Sequence, residues 1–269
     1  MRLAKKQSGL TFVEVLIGMA IGVIVIGGAL TIYASSVRSG NEALLSSKLN
    51  QEVGALMHVI TNDVRRAGYW GAVPMGRLDQ NPFSQNGATA LVVIDGMASD
   101  TIQPPNGVGS CLTYAYDATY LAGNVAGTLE NTDLFGFRLN GTTVQMRQSG
   151  IVDGADCVGG TCDSCTNGVW LDVTDPDVIE VTQLTFDLGN SQCLNSSEPN
   201  GEDDNGDGAI DDDDEADCYE TIPPATSGEV TMESFEVGVT INARLAADPQ
   251  VQISSATSVR VRNNVLRTH

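Results

Sequence analysis

The stretch Gly9 to Tyr33, "GLTFVEVLIGMAIGVIVIGGALTIY", is an apolar run with a single charge, Glu14, close to its start. Val15 to Tyr33 supplies 19 residues without a charge. At 1.5 Å per residue that is about 28 Å of helix, the thickness of a bilayer core. A carboxylate at the centre of such a span costs about 2.5–3.5 kcal/mol on insertion scales, so Glu14 requires a reason. A short basic leader, "MRLAKKQSG", precedes the run, and the acidic bulk of the chain follows it. The charge asymmetry places Met1 on the cytoplasmic side and everything after Tyr33 across the membrane. The run is too long for the apolar core of a secretory signal, and no A-x-A-like site closes it.

The rest of the 269-residue chain sets further bounds. Formal charge is −20, and loss of Arg2, Lys5 and Lys6 with the leader leaves about −23. A surface this acidic repels nucleic acid and anionic lipid and attracts cations, so no nucleic-acid partner is expected. The acids cluster: ten of the 34 lie between Glu202 and Asp217, with no Lys or Arg among them. Glycine is plentiful at 29 residues and aromatics are scarce, which points to a turn-rich β component. All six cysteines (Cys111, Cys157, Cys162, Cys165, Cys193 and Cys218) follow the apolar segment. An even count beyond a membrane span fits disulfides in an oxidising compartment.

"KKQSGLTFVEVLIGMAIG" resembles the N-terminus of a type IV prepilin. The resemblance implies cleavage by a prepilin peptidase between Gly9 and Leu10, and methylation of the new N-terminus. Leu10 stands where phenylalanine is usual. Glu14 then becomes the fifth residue of the mature chain. In such filaments that carboxylate neutralises the terminal amine of a neighbouring subunit, which would account for a charge stored in an apolar helix. Gly18-x-x-x-Gly22 and the Gly27-Gly28 pair suit either close helix packing or local melting in a filament core, or simply the frequency of glycine in membrane helices.

Past Tyr33 the pattern becomes amphipathic. In "VRSGNEALLSSKLNQEVGALMHVITNDVRRAG" (Val37–Gly68), Val53, Leu56, Met57, Ile60, Val64 and Ala67 recur at helical spacing. This stripe should lie on a globular head, with Gly68 as the stop and His58 at the boundary. "NDVRRAGYWGA" (Asn62–Ala72) resembles the end of the long helix in PilW-type minor pilins. "SVRVRNNVLR" (Ser258–Arg267) resembles their last strand. Strand-like segments separated by turn residues are Ala90–Ile94, Leu112–Tyr116, Asp133–Leu139, Thr142–Arg147, Val169–Val173, Val178–Leu188, Glu229–Leu245 and Ser258–Val265. In "ESFEVGVTINARL", Phe235, Val237, Val239, Ile241 and Ala243 alternate onto one face of a half-buried antiparallel strand. The fold class is therefore α+β, pilin-like: one long N-terminal helix against an antiparallel sheet. The expected organisation is a leader over 1–9, a membrane and assembly segment over 10–33, an amphipathic segment over 34–68 and a β-rich head over 69–269.

"EDDNGDGAIDDDDEADC" (Glu202–Cys218) carries the richest chemistry. Calcium takes six to eight hard oxygens at flexible geometry, and a twelve-residue loop offers them at positions 1, 3, 5, 7, 9 and 12. Counted from Asp203, those positions are Asp203, Asn205, Asp207, the Ala209 carbonyl, Asp211 and Asp214. Gly208 takes the sixth position, where the chain turns, and Ile210 the eighth, from which it could point into the head. Asp214 stands where an EF-hand has Glu, a departure shared with dockerin-type loops. No flanking helices are apparent. Magnesium fits less well because it demands small octahedral geometry.

Cys193 and Cys218 bracket this loop, and a bond between them would staple it to the head. Cys162-Asp-Ser-Cys165 is a C-x-x-C in a turn-rich loop, which favours structural bonding over redox or zinc chemistry. Six cysteines allow fifteen pairings, and the sequence does not choose among them. The leading function is a minor pilin of a type IV pilus, assembling with other pilins from the inner membrane, with the head periplasmic and then extracellular. The alternatives are a minor pseudopilin of type II secretion and a membrane-anchored, calcium-dependent binding module. An enzyme is not expected: G-x-S-x-G, H-E-x-x-H and nucleotide-loop motifs are absent, and the histidines are His58 and His269 alone.

Overall fold

A computed structural model describes residues 9, 11–71, 81–84, 89–103, 107–118, 129–150, 164–195, 199, 201, 203, 208–211 and 230–268. One helix, α1, runs without interruption from Phe12 to Val64. Among the described residues, twelve strands follow: β1 (Val92–Ile94), β2 (Val108–Gly109), β3 (Cys111–Ala115), β4 (Leu134–Asn140), β5 (Thr143–Ser149), β6 (Val169–Asp172), β7 (Ile179–Asp187), β8 (Gln192–Asn195), β9 (Val230–Ser234), β10 (Glu236–Leu245), β11 (Gln252–Arg260) and β12 (Val265–Thr268). They form three antiparallel sheets, ordered β1-β3-β4-β5-β6, β11-β10-β7-β2 and β12-β9-β8. This is the expected α+β, pilin-like architecture.

The chain divides into two compact units, Met1–Lys48 and Leu49–His269. In the first, α1 presents its apolar side chains outward all round, from Phe12 through Tyr33. By length and composition it is long and apolar enough to cross a membrane. In the second, the last turns of α1 bury the stripe read from the sequence, Val53, Leu56, Met57, Ile60, Val64 and Ala67, together with Leu49. His58 stays exposed and shares a 2.8 Å hydrogen bond with Asn62. α1 ends at Val64, and the turn that follows it closes at Gly68, whose φ of +69° lies in the left-handed region that glycine tolerates.

The end of α1 is fastened from several directions. The Gly68 amide donates to the Ala115 carbonyl of β3 at 2.8 Å. Asn81 Nδ2 donates to the Gly68 carbonyl, and Asn263 Nδ2 to the Ala67 carbonyl at 2.9 Å. The two asparagine contacts satisfy carbonyls that a helix terminus otherwise leaves unpaired. Asp63, buried on the same turn, accepts from Tyr114 Oη at 2.5 Å and Tyr116 Oη at 2.9 Å. Arg66 adds a 3.3 Å contact to Asp63 and lays its guanidinium 4.2 Å over the Tyr116 ring. Tyr116 in turn stacks on Phe135 at 4.0 Å. Burial and the Asp63 carboxylate together hold both phenols well above their ordinary pKa, in their neutral, donating form.

Val237, Val239, Ile241 and Ala243 of β10 are buried on one face, as their alternation requires. Two expectations need correction. The segment Glu229–Leu245 is not one strand. It breaks at Phe235, and β9 joins the β12-β9-β8 sheet while β10 joins the other. The segment Ser258–Val265 likewise spans a break. Ser258–Arg260 ends the nine-residue β11, and Val265 opens β12. The first seven residues of β11, Gln-Ile-Ser-Ser-Ala-Thr-Ser, carry no apolar alternation that would mark a strand in the sequence.

Candidate functional site

The amino-terminal junction is built around the first turn of α1. Thr11 precedes the helix and Glu14 is its third residue. The Thr11 amide donates to Glu14 Oε2 at 2.9 Å, and the Thr11 hydroxyl donates to the same oxygen at 2.9 Å. The Glu14 amide returns a longer bond, 3.4 Å, to Thr11 Oγ1. This is a capping box: a Thr and a Glu three residues apart satisfy helix-start donors reciprocally. A negative group in the first turn also faces the positive end of the helix dipole. Sequence reading missed Thr11, although T-x-x-E before an apolar run is the signature of this device. Glu14 lies exposed, at the end of the apolar segment rather than its centre. Gly9 is also exposed, while Leu10 lies outside the described residues.

In the acidic loop, Gly208 has φ +96° and its amide donates to Asp203 Oδ2 at 2.9 Å. The first and sixth positions of the loop are thus tied, and the chain turns at the glycine as the spacing predicts. Asp211 adopts φ +56°, and its Oδ1 accepts from the Gly201 amide at 2.8 Å. Asp203 and Asp211 thus each engage one carboxylate oxygen with a nearby backbone amide. Asn205, Asp207 and Asp214 lie outside the described residues, and among the described residues no three acidic, His or Cys side chains converge on one point. Ile210 corrects one expectation: it is 61% exposed rather than turned into a core.

Cys111 and Cys165 form a disulfide. Cys165 is therefore not half of a closed C-x-x-C dithiol, which sets aside the redox reading of Cys162-Asp-Ser-Cys165. The loop around it is anchored a second way. Asp100, at φ +48°, accepts from the Cys165 amide at 2.7 Å, from Thr166 Oγ1 at 3.0 Å and from Ser164 Oγ. Arg138 lies 4.3 Å over the Trp170 ring and donates to the Cys165 carbonyl. Cys193 is also disulfide-bonded. Cys157, Cys162 and Cys218 lie outside the described residues.

Comparison with known families matches two segments. Residues 4–30 match the prokaryotic N-terminal methylation motif. Residues 42–261 match the family described as prepilin peptidase-dependent protein B. No curated protein and no solved structure matches the chain. The methylation motif covers the Gly9–Leu10 junction and the capped turn, and the family match covers the lower part of α1 and nearly all the head. The family and the motif imply processing by prepilin peptidase, anchoring through α1 and assembly with other pilins. With the motif over the start of α1 and the family match over residues 42–261, the chain belongs to the prepilin peptidase-dependent protein B family, a group of type IV pilin-like proteins.

Proposed function

We propose that the protein is a minor pilin of a type IV pilus, of the PilW type, with a structural role in priming assembly or at the fibre tip. The observation that carries this reading is the capped turn at Thr11 and Glu14, placed directly after Gly9 within the methylation motif. Cleavage between Gly9 and Leu10 would leave a mature chain whose only acid in the apolar helix is its fifth residue. That carboxylate is then positioned to neutralise the terminal amine of a neighbouring subunit. The pair gains strength as water is excluded, because Coulomb attraction rises as the effective dielectric falls. Before assembly the head is periplasmic, and afterwards it lies outside the cell. The "NDVRRAGYWGA" and "SVRVRNNVLR" segments favour a pilus subunit over a secretion pseudopilin by their resemblance to PilW-type chains.

Calcium belongs to the same proposal. Asp203, Asn205, Asp207, the Ala209 carbonyl, Asp211 and Asp214 would hold the ion, which supplies compensating charge to a loop of repelling carboxylates. The turn at Gly208, tied by Asp203, supports this reading. The test of the function is fibre composition. Sheared pili should contain the wild-type chain and lose a Glu14→Ala variant that still reaches the membrane. Equal amounts of both in the fibres would remove the assigned role of Glu14. A wild-type chain found only in secretion pseudopili would favour that machine instead.

A further inference from the structure

Among the described residues, the six edges of the three sheets are unequal. β1, β2, β6, β8 and β12 are two to four residues long. β11 is nine residues long and pairs along its whole length with β10 without a bulge. Edge strands ordinarily carry devices against further pairing: short length, bulges, proline or inward charges. β11 has none of these. In a chain with 34 acidic residues, Gln252–Val259 contains no charge at all, and Arg260 closes the strand.

Its hydrogen-bonding pattern defines what would fit. At one end of the ladder the Val261 amide donates to the Phe235 carbonyl, and at the other the Leu245 amide donates to the Val251 carbonyl, both at 3.0 Å. Antiparallel pairing alternates along a strand, so odd-numbered residues of β11 turn their amides and carbonyls toward β10. Ser254, Ala256 and Ser258 therefore turn theirs outward. Among the described residues these groups meet no partner strand. Their side chains are small and exposed, leaving room for a backbone about 4.8 Å away.

We infer that β11 is an assembly edge to which a strand of a different pilin-like subunit adds by main-chain pairing. This rests on the proposed role in a fibre. A second copy is the poorer occupant, because two heads of this charge repel one another. Membrane anchoring through α1 keeps sister subunits close, so a modest strand pairing suffices through raised effective concentration.

Residue-resolved hydrogen exchange on the full chain tests this, comparing sheared fibres with detergent-solubilised protein. The amides of Ser254, Ala256 and Ser258 should exchange at least tenfold more slowly in fibres. Those of Ser255 and Thr257 should be slow in both states. Ala256→Pro removes one outward amide and none that β10 uses, so its melting temperature should hold while its fibre content falls at least tenfold. Ala256→Lys keeps every backbone group and should fall likewise. Wild-type fibres with fast exchange at all three amides, or normal incorporation of both variants, would overturn the inference and leave the proposed function standing. A disulfide-linked dimer of two copies through Ala256→Cys would overturn the choice of partner. Absence of the wild-type chain from fibres would overturn both.

Discussion

Thr11 and Glu14 hold each other at the start of α1, with the Glu14 carboxylate accepting from both the amide and the hydroxyl of Thr11. The acid is therefore engaged before any neighbour arrives. It has a structural task, starting the helix, and a proposed assembly task, meeting an amine. These tasks separate by substitution. Gln keeps the capping geometry but carries no charge. Glu14→Gln should speed amide exchange in the first turn only by the lost dipole interaction, about 0.3–1 kcal/mol, and should reduce incorporation into fibres. Thr11→Val should cost the cap about 1 kcal/mol, roughly a fivefold faster exchange over the first turn. Normal fibre content for Glu14→Gln would show that charge is not what assembly uses.

The Asp63–Tyr114–Tyr116 cluster predicts an alkaline limit to stability. Both phenols are held above their ordinary value of about 10, chiefly by burial and then by the Asp63 charge. The folded state thus binds these protons more tightly than the unfolded one. Stability is fully present below about pH 10 and is lost as pH rises beyond it. Denaturant titrations at pH 8 and pH 11 should show this fall. A Tyr114→Phe, Tyr116→Phe double variant should show a flatter pH dependence.

At neutral pH the same cluster fixes the end of α1 to β3. Tyr114→Phe removes a hydrogen bond to a buried carboxylate and should destabilise the head by about 1.5–3 kcal/mol. A change within a few tenths of a kcal/mol in urea unfolding would mean that the bond contributes little.

The Cys111–Cys165 disulfide joins residues 54 apart in sequence. The chain-entropy model assigns such a bridge about 4 kcal/mol. A Cys111→Ala, Cys165→Ala double variant should melt well below the wild type. The Asp100 contacts to Cys165 and Thr166 should preserve the local loop, which a crystal structure of the variant would reveal.

Chelation tests the acidic loop. Under the proposed calcium binding, the ion would compensate carboxylates that otherwise repel one another. EDTA should lower the melting temperature of the head, and added calcium should restore it. A melting curve indifferent to both, with no heat on calcium titration, would remove the metal from the account.

Local pattern made much of this architecture legible. The stripe from Val53 to Ala67 and the alternation from Val237 to Ala243 are periodic, and burial follows from period. The break at Phe235 was not legible, because both halves of that segment alternate and only sheet membership divides them. β11 was hidden by its Ser-rich composition, since an edge strand need not bury an apolar face. The tie between Asp63 and Tyr114 spans 51 residues, and the Cys111–Cys165 bridge is one of fifteen possible pairings. Nonlocal partners of this kind leave no spacing to read. Thr11 is different: its T-x-x-E signature is local, and it shares the Glu14 that the prepilin resemblance assigns to a neighbouring subunit.

Processing at Gly9 is the point on which the assembly account turns, and the intact mass of the protein recovered from cells tests it most directly. The mature chain is expected to begin at Leu10 and to carry one added methyl group. A mature protein that still begins at Met1 would contradict it.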